Sequence, residues 1–142
     1  MIKEERFKAI QFIREIIIYL DKMLENFPKK DLEISRAIKE ESYNMLKLAY
    51  LANVTSKKEE RKKSLEQIIV SIKLLDFFVN IAYDKKIINQ KKYLKVGQKL
   101  DDIIRYVTGW LNATLSMLEN KNGWLRAASI LILAIAISMY AM

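Results

Sequence analysis

One stretch of the chain, residues 97–111, is GQKLDDIIRYVTGWL and carries apolar side chains at the period of an α-helix. These apolar positions form one stripe: Leu100, Ile103, Ile104, Val107 and Leu111. Gly97 and Gly109 lie in this helix although each costs about 1 kcal/mol relative to alanine. Close approach of a neighbouring helix or chain would offset that cost, and the ring of Trp110 would be buried there. All three residues are therefore predicted packing or assembly positions, unless the glycines are merely tolerated in a core helix.

The composition favours a single all-α domain. The chain has 142 residues, which is the size of one domain with one compact core. One proline and three glycines interrupt long runs rich in Lys, Glu, Leu and Ile, a composition typical of long helices joined by few turns. The chain contains no cysteine and no histidine, so disulfides, thiolate or histidine metal sites and the commonest general base are excluded. We expect a cytoplasmic protein without a cofactor.

Four long helices are predicted, at about residues 4–26, 31–54, 57–86 and 90–119. The dipeptide Phe27-Pro28 ends the first helix, because proline lacks the N–H group that a helix needs and disfavours helical geometry in the residue before it. Asp31 and Asn89 are the predicted N-caps of the second and fourth helices. The sequence Asn120-Lys121-Asn122-Gly123 is predicted to end the fourth helix. Four helices with short connections predict an antiparallel up-down-up-down four-helix bundle over residues 1–122.

The composition changes after Gly123. Residues 127–142 carry no charge, and the apolar C-terminal segment 123–142 is predicted to form an extra helix or tail. A membrane helix usually needs roughly 20 apolar residues, so the segment lies at the lower edge of that range. A helix packed on the bundle or between subunits is favoured, and a membrane anchor or a functionless extension is the alternative.

Basic residues form two clusters in a chain whose formal net charge is +8. Such an excess favours an anionic partner, which is nucleic acid, an acidic membrane surface or an acidic protein. The predicted nucleic-acid or partner-binding residues are Lys57, Lys58, Arg61, Lys62 and Lys63 at the start of the third helix, and Lys85, Lys86, Lys91, Lys92, Lys95 and Lys99 around the connection to the fourth. In an antiparallel bundle the two clusters would lie at opposite ends. A lysine-rich face that only maintains solubility is the alternative.

No arrangement of residues in the sequence predicts catalysis. Carboxylates occur in adjacent pairs at 40–41, 59–60 and 101–102, but adjacent positions on a helix point about 100° apart, so no pair converges on one site. The sequence has no Gly-rich phosphate loop, no nucleophile elbow and no metal-ligand spacing. We therefore predict that the protein is not an enzyme.

Several short motifs make the chain resemble a known family. Phe-Pro-Lys at residues 27–29 closes the first helix, Ile34-Ser35-Arg36-Ala37 opens a basic second helix, and Thr108-Gly109-Trp110-Leu111 lies toward the end of the fourth. Together they resemble the accessory variability determinant (Avd) family of diversity-generating retroelements, whose relatives are the ribosomal intervening-sequence four-helix-bundle proteins. The resemblance covers about residues 7–118, and the apolar tail after Gly123 departs from the family pattern.

The resemblance implies a homopentameric, barrel-like ring of bundles with a basic surface. Members of that family bind the reverse transcriptase of the element and nucleic acid, and support error-prone copying of template RNA into variable-gene DNA without being catalytic. By position, Pro28 matches the turn that ends the first helix in that family. Arg36 matches the basic position early in the second helix, and Gly109 with Trp110 matches the motif of the fourth helix. The resemblance therefore predicts a non-catalytic RNA- or DNA-binding accessory protein of mutagenic retrohoming. A membrane-anchored small helical protein and a ribosomal-RNA-associated bundle protein are the alternatives.

Overall fold

The computed structural model describes residues 2–140, with the side chains of residues 4–120, 128 and 130–139. Four long helices make up most of this part of the chain: α1 (Ile2–Leu24), α2 (Leu32–Val54), α3 (Lys58–Asp84) and α4 (Gln90–Tyr140). A short 3-10 helix, Lys29–Asp31, precedes α2. The described residues form no strand. The predicted all-α class is therefore confirmed.

Most of the side chains buried between the helices follow a seven-residue repeat in every helix. Those on the repeat are Ala9, Ile13, Ile16, Leu20 and Met23 in α1; Ile38, Ser42, Met45, Ala49 and Ala52 in α2; Leu65, Ile68, Ile72, Leu75, Val79 and Ala82 in α3; and Val96, Leu100, Ile103, Val107, Trp110 and Thr114 in α4. Ile17, Leu48 and Ser71 are also buried, each one position from a residue of the repeat. The spacing alternates between four and three residues, which is the pattern of helices that interdigitate as knobs into holes at small crossing angles. Each large apolar side chain buried in this way stabilises the fold by about 1.5–3 kcal/mol.

The four long helices surround one core. Helix α1 packs against α2 and α4, and α3 packs against the same two helices. Three hydroxyl side chains are buried among the helices, those of Ser42, Ser71 and Thr114. Ser42 donates to the carbonyl of Lys39 at 2.8 Å, and Thr114 donates to the carbonyl of Trp110 at 3.0 Å. The indole N–H of Trp110 is buried and has no hydrogen-bond partner among the described residues.

The two predicted N-caps have different outcomes. Asn89 caps α4 as predicted, because its side-chain oxygen accepts the backbone N–H of Lys92 at 2.9 Å. Asp31 stands at the N-cap position of α2, but its carboxylate makes no capping hydrogen bond. Instead it accepts a hydrogen bond from the ammonium group of Lys85 at 3.4 Å. The carboxylate is thus used to join two connections of the bundle rather than to cap α2.

The predicted end of the fourth helix near residue 119 is wrong, since α4 continues to Tyr140. No glycine among the described residues has a positive φ, so Gly123 does not form the left-handed turn that usually ends a helix. Asn and Gly inside a helix cost at most about 1 kcal/mol each relative to alanine, which the strong helix formers after Gly123 offset. Residues 141–142 of the predicted tail lie outside the described residues. Within the part of the chain that the structure describes, no helix is both long and apolar enough to cross a membrane.

The residues predicted for packing or assembly differ in their surroundings. Pro28 lies in the turn between α1 and the 3-10 helix, and Trp110 is fully buried in the core. A Cβ added at Gly109 would stand 2.9 Å from the side-chain carboxyl carbon of Glu5 in α1. A Cβ added at Gly97 would meet none of the described atoms within 4 Å, apart from its own helix backbone and neighbours in the chain. Within one chain, only Gly109 of the two glycines is approached closely.

We predict that Gly97→Ala increases the free energy of unfolding by about 1 kcal/mol, because alanine restricts the unfolded chain and its methyl group meets open space. Urea unfolding followed by circular dichroism measures the change. Gly109→Ala serves as the comparison, and we expect it to gain less because the Glu5 carboxylate must move. A loss of stability in Gly97→Ala would contradict the open surroundings of this residue.

Candidate nucleic-acid interface

Two connections of the bundle meet at one end. The residues between α1 and α2 contact the residues between α3 and α4 through an ion pair, in which Lys85 Nζ lies 3.4 Å from Asp31 Oδ1. The side chain of Asp31 is 7% exposed and that of Lys85 is 57% exposed. The pair places the connection between α1 and α2 in contact with the connection between α3 and α4. Basic residues of the two connections therefore lie at the same end of the bundle, although more than 50 positions separate them in the chain.

These connections carry a group of lysines that we call the basic cap. Its members are Lys29, Lys30, Lys85, Lys86, Lys91 and Lys92. Five of them are exposed and Lys92 is half-buried. Lys30, Lys85 and Lys86 line a groove of about 500 Å³ together with Pro28, Asp31 and Ile87. Lys86 and Lys92 line an adjoining groove of about 680 Å³ with Tyr83 and Asp84. The two grooves are lined by four lysines and by two acidic residues, Asp31 and Asp84, so positive charge dominates this end.

Lys86 holds a backbone conformation that glycine usually adopts. Its φ is 62°, and it is the only residue other than glycine with a positive φ in the described part of the chain. The N–H of Ile87 donates to the carbonyl of Ala82 at 2.9 Å, the pattern of a helix C-terminus closed by a left-handed residue. An L-residue in this region costs roughly 1–2 kcal/mol. The positive φ of Lys86 therefore marks a strained backbone position beside the lysine grooves.

Two tyrosines adjoin the basic cap. The rings of Tyr83 and Tyr93 stack with their centroids 4.4 Å apart and their planes 27° apart. The hydroxyl of Tyr93 donates a hydrogen bond to the side chain of Asn80. Both rings are half-buried, and Tyr83 also lines the groove that contains Lys86 and Lys92. Tyr93 is thus fixed by its neighbours, whereas Tyr83 is the aromatic side chain that borders the lysine groove.

Other predicted binding residues of α4 and α2 lie near this end. Lys95 is exposed one turn beyond Lys91, and Arg36 is exposed in the second turn of α2. Lys99 is half-buried, with its ammonium group 5.4 Å from the ring centroid of Tyr19 in α1. A cation held over an aromatic face is stabilised there by about 0.5–1 kcal/mol at an exposed site. Lys99 therefore packs against α1, whereas Lys95 and Arg36 remain exposed.

The second basic cluster, in residues 57–63, lies at the opposite end of the bundle. Part of it makes hydrogen bonds that stabilise the fold. Arg61 donates from Nε to the carbonyl of Ala52 at 3.0 Å and from a terminal nitrogen to the carbonyl of Thr55 at 2.8 Å. It thereby satisfies carbonyl groups at the end of α2. Lys57 Nζ lies 3.8 Å from Glu60 Oε1, while Lys58 and Lys62 are half-buried and Lys63 is exposed.

The sequence predicts two separate basic clusters. Lys29 and Lys30 were not among the predicted binding residues. The structure brings them beside Lys85 and Lys86 because the two connections share one end of the bundle. The available sequence signal was the Lys-Lys pair directly after Pro28. Among the described residues, no three potential metal ligands form a cluster that could hold a metal ion.

Comparison with known proteins identifies a family that the chain matches. The model of the bAvd-like family matches residues 1–114 of the chain. The match includes α1, α2, α3, the whole basic cap and the part of α4 that packs in the core, and it ends before the apolar tail. No curated protein matches the sequence.

We predict that Lys86→Gly raises the free energy of unfolding by about 1 kcal/mol, because glycine adopts a positive φ without steric cost. Chemical unfolding of the full chain measures the effect. Lys86→Ala is the matched control, since it removes the same charge but keeps the Cβ and the strain. Equal stability changes in the two variants would show that the backbone conformation of Lys86 carries no strain.

Proposed function

Because this chain belongs to the bAvd-like family, we propose that it is a non-catalytic accessory protein of a diversity-generating retroelement. In this role it binds the reverse transcriptase of the element and contacts RNA or DNA during mutagenic copying. The family match confirms the resemblance to the Avd family noted in the sequence. The short connections and the closed ring of contacts between neighbouring helices support an up-down-up-down order for the bundle. Assembly into a homo-oligomer, a pentamer by resemblance, is part of the proposal.

The surroundings of the paired carboxylates support a role without catalysis. Glu60 accepts a hydrogen bond from the hydroxyl of Thr55 at 2.9 Å, which joins the start of α3 to the end of α2. Asp102 accepts one from Arg105 at 3.2 Å on the same helix. Thr55 and Glu60 line a groove of about 560 Å³ whose lining residues include no second carboxylate, and the Asp102–Arg105 contact lies on the surface of one helix. Carboxylates that catalyse together face one another across a substrate position, and Glu60 has no such partner in this groove.

The observation that carries the nucleic-acid part of the proposal is the convergence of lysines from two distant connections on one end of the bundle. Lys30 and Lys86 border the same groove although 56 positions separate them in the chain. Lysines spread along two adjoining grooves match the repeating charges of a phosphate backbone better than a single compact anion. Tyr83 beside the groove offers an aromatic edge to an unpaired base. The basic cap is therefore the surface that we assign to nucleic acid.

We predict that the chain binds labelled single-stranded RNA with an affinity that falls steeply as salt rises, because binding releases counterions from the phosphates. The double variant Lys30→Gln with Lys86→Gln should weaken binding at least tenfold at low salt. It should also reduce the slope of log affinity against log salt by roughly 1.4, if each lysine neutralises one phosphate of a single strand. Fluorescence anisotropy over a salt series measures both quantities.

The matched control is Lys57→Gln with Lys63→Gln, which removes the same charge from exposed lysines at the other end of the bundle. We expect its affinity to stay within about threefold of the unaltered chain, since only the general field of the protein is reduced. Equal losses in the two double variants would assign the binding to net charge alone. Binding that does not depend on salt would contradict any role of the lysines in contacting phosphates.

Association with the reverse transcriptase is tested separately. A tagged full chain, co-expressed with the reverse transcriptase encoded nearest to its gene, is expected to retain that enzyme on an affinity column after nuclease treatment. Nuclease removes bridging by nucleic acid, so retention reports contact between the two proteins. Loss of the enzyme after nuclease treatment would restrict the proposal to nucleic-acid binding.

A further inference from the structure

The groove between the end of α3 and the start of α4 combines an aromatic ring with cationic groups. We call it the α3–α4 groove, and its volume of about 680 Å³ falls within the ~300–1,000 Å³ of clefts that hold drug-sized ligands. Tyr83 lines it at the end of α3, whereas Lys86 and Lys92 line it in the connection and in the first turn of α4. A nucleotide combines an uncharged planar base with an anionic phosphate, so its two parts match the two kinds of group in this groove.

Tyr83 is oriented as a stacking platform by its neighbours. Its ring stacks on that of Tyr93, with the centroids 4.4 Å apart, and the Tyr93 hydroxyl donates to the side chain of Asn80. Tyr83 is half-buried and still lines the groove, so part of its ring is open to a ligand. Because the ring is already oriented, stacking of a base on it costs little side-chain freedom. Stacking on an aromatic ring typically strengthens the binding of a single strand by roughly 5- to 150-fold per base.

The polar groups of the groove determine where a phosphate is favoured. The side-chain oxygen of Asn89 accepts the backbone N–H of Lys92 at 2.9 Å, which leaves its amide N–H groups to donate to a ligand. Asp84 is the one carboxylate among the lining residues, and its charge repels a phosphate placed next to it. A phosphate is thus favoured near Lys86 and Lys92. An uncharged base is favoured near Tyr83, which precedes Asp84 in the chain.

We propose that the α3–α4 groove binds one unpaired nucleotide, with its base stacked on Tyr83 and its phosphate in contact with Lys86 and Lys92. The proposal rests on the proposed function, because these lysines belong to the basic cap, and it adds a preference for single strands. Inside a duplex each base is stacked between its neighbours and cannot reach Tyr83 without being extruded. The phosphates of a duplex still attract the lysines. Tyr83 therefore strengthens the binding of single strands only, whereas the lysines act on both.

Replacing the ring tests the proposal. The full chain and its Tyr83→Leu variant are titrated by fluorescence anisotropy, at one low salt concentration, with a labelled single-stranded RNA and with the RNA duplex of the same sequence. Leucine keeps apolar bulk but has no stacking face, so we expect about tenfold weaker binding of the single strand and less than a twofold change for the duplex. Tyr83→Phe keeps the ring and should bind both within twofold of the unaltered chain.

Tyr50→Leu is the matched control, because it removes a 43%-exposed tyrosine from the last two turns of α2, away from the basic cap. Both affinities should stay within twofold. A labelled strand of the same length made entirely of abasic units keeps the phosphates and removes the bases. We expect it to bind the unaltered chain at least fivefold more weakly than the RNA, a comparison that does not depend on the fold of any variant. Tyr83→Leu should change its affinity less than twofold.

Equal losses for the single strand and the duplex in Tyr83→Leu, or no loss for either, would overturn the proposal. If binding in such a result still weakened steeply with salt, the assignment of the lysines to phosphates would stand, so the two proposals fail separately. No binding of the single strand, the duplex or the abasic strand by the unaltered chain would overturn both.

Discussion

The interdigitation of buried side chains at alternating intervals of four and three residues is the constraint on which the rest of the structure depends. The repeat runs through α1, α2, α3 and the first half of α4, and it leaves the charged residues outside. Because helices that follow one another in the chain contact each other and are joined by short connections, these connections lie at the ends of the helices. The Asp31–Lys85 ion pair joins two connections at one end. The basic cap is a consequence of this arrangement.

The helix starts were predictable because local features determine them. Helices α2, α3 and α4 begin at Leu32, Lys58 and Gln90, within one residue of the predicted positions. Pro28 and the Asn89 cap act over one turn and need no tertiary information. The end of α4 was missed because Asn and Gly only weaken a helix, and the composition after Gly123 is strongly helix-forming.

The candidate site was only partly readable from the sequence. Lys85 and Lys86 follow one another and are conspicuous in the sequence, but their proximity to Lys30 depends on how the helices pack. The positive φ of Lys86 was also hidden, because lysine is not a residue type that sequence rules assign to a left-handed turn. Arg61 makes a structural contact that its charge alone does not predict. It was grouped with binding residues by charge, whereas its guanidinium group bonds carbonyls at the end of α2.

The basic cap and the apolar tail lie at opposite ends of the bundle, because α4 begins beside the cap and runs away from it for 51 residues. The central claim is that the cap contacts nucleic acid. Ultraviolet cross-linking of the full chain to single-stranded RNA, followed by mass-spectrometric mapping of the modified peptides, tests it most directly. The account predicts cross-links in residues 29–30 and 83–92, and cross-links confined to residues 57–63 would contradict it.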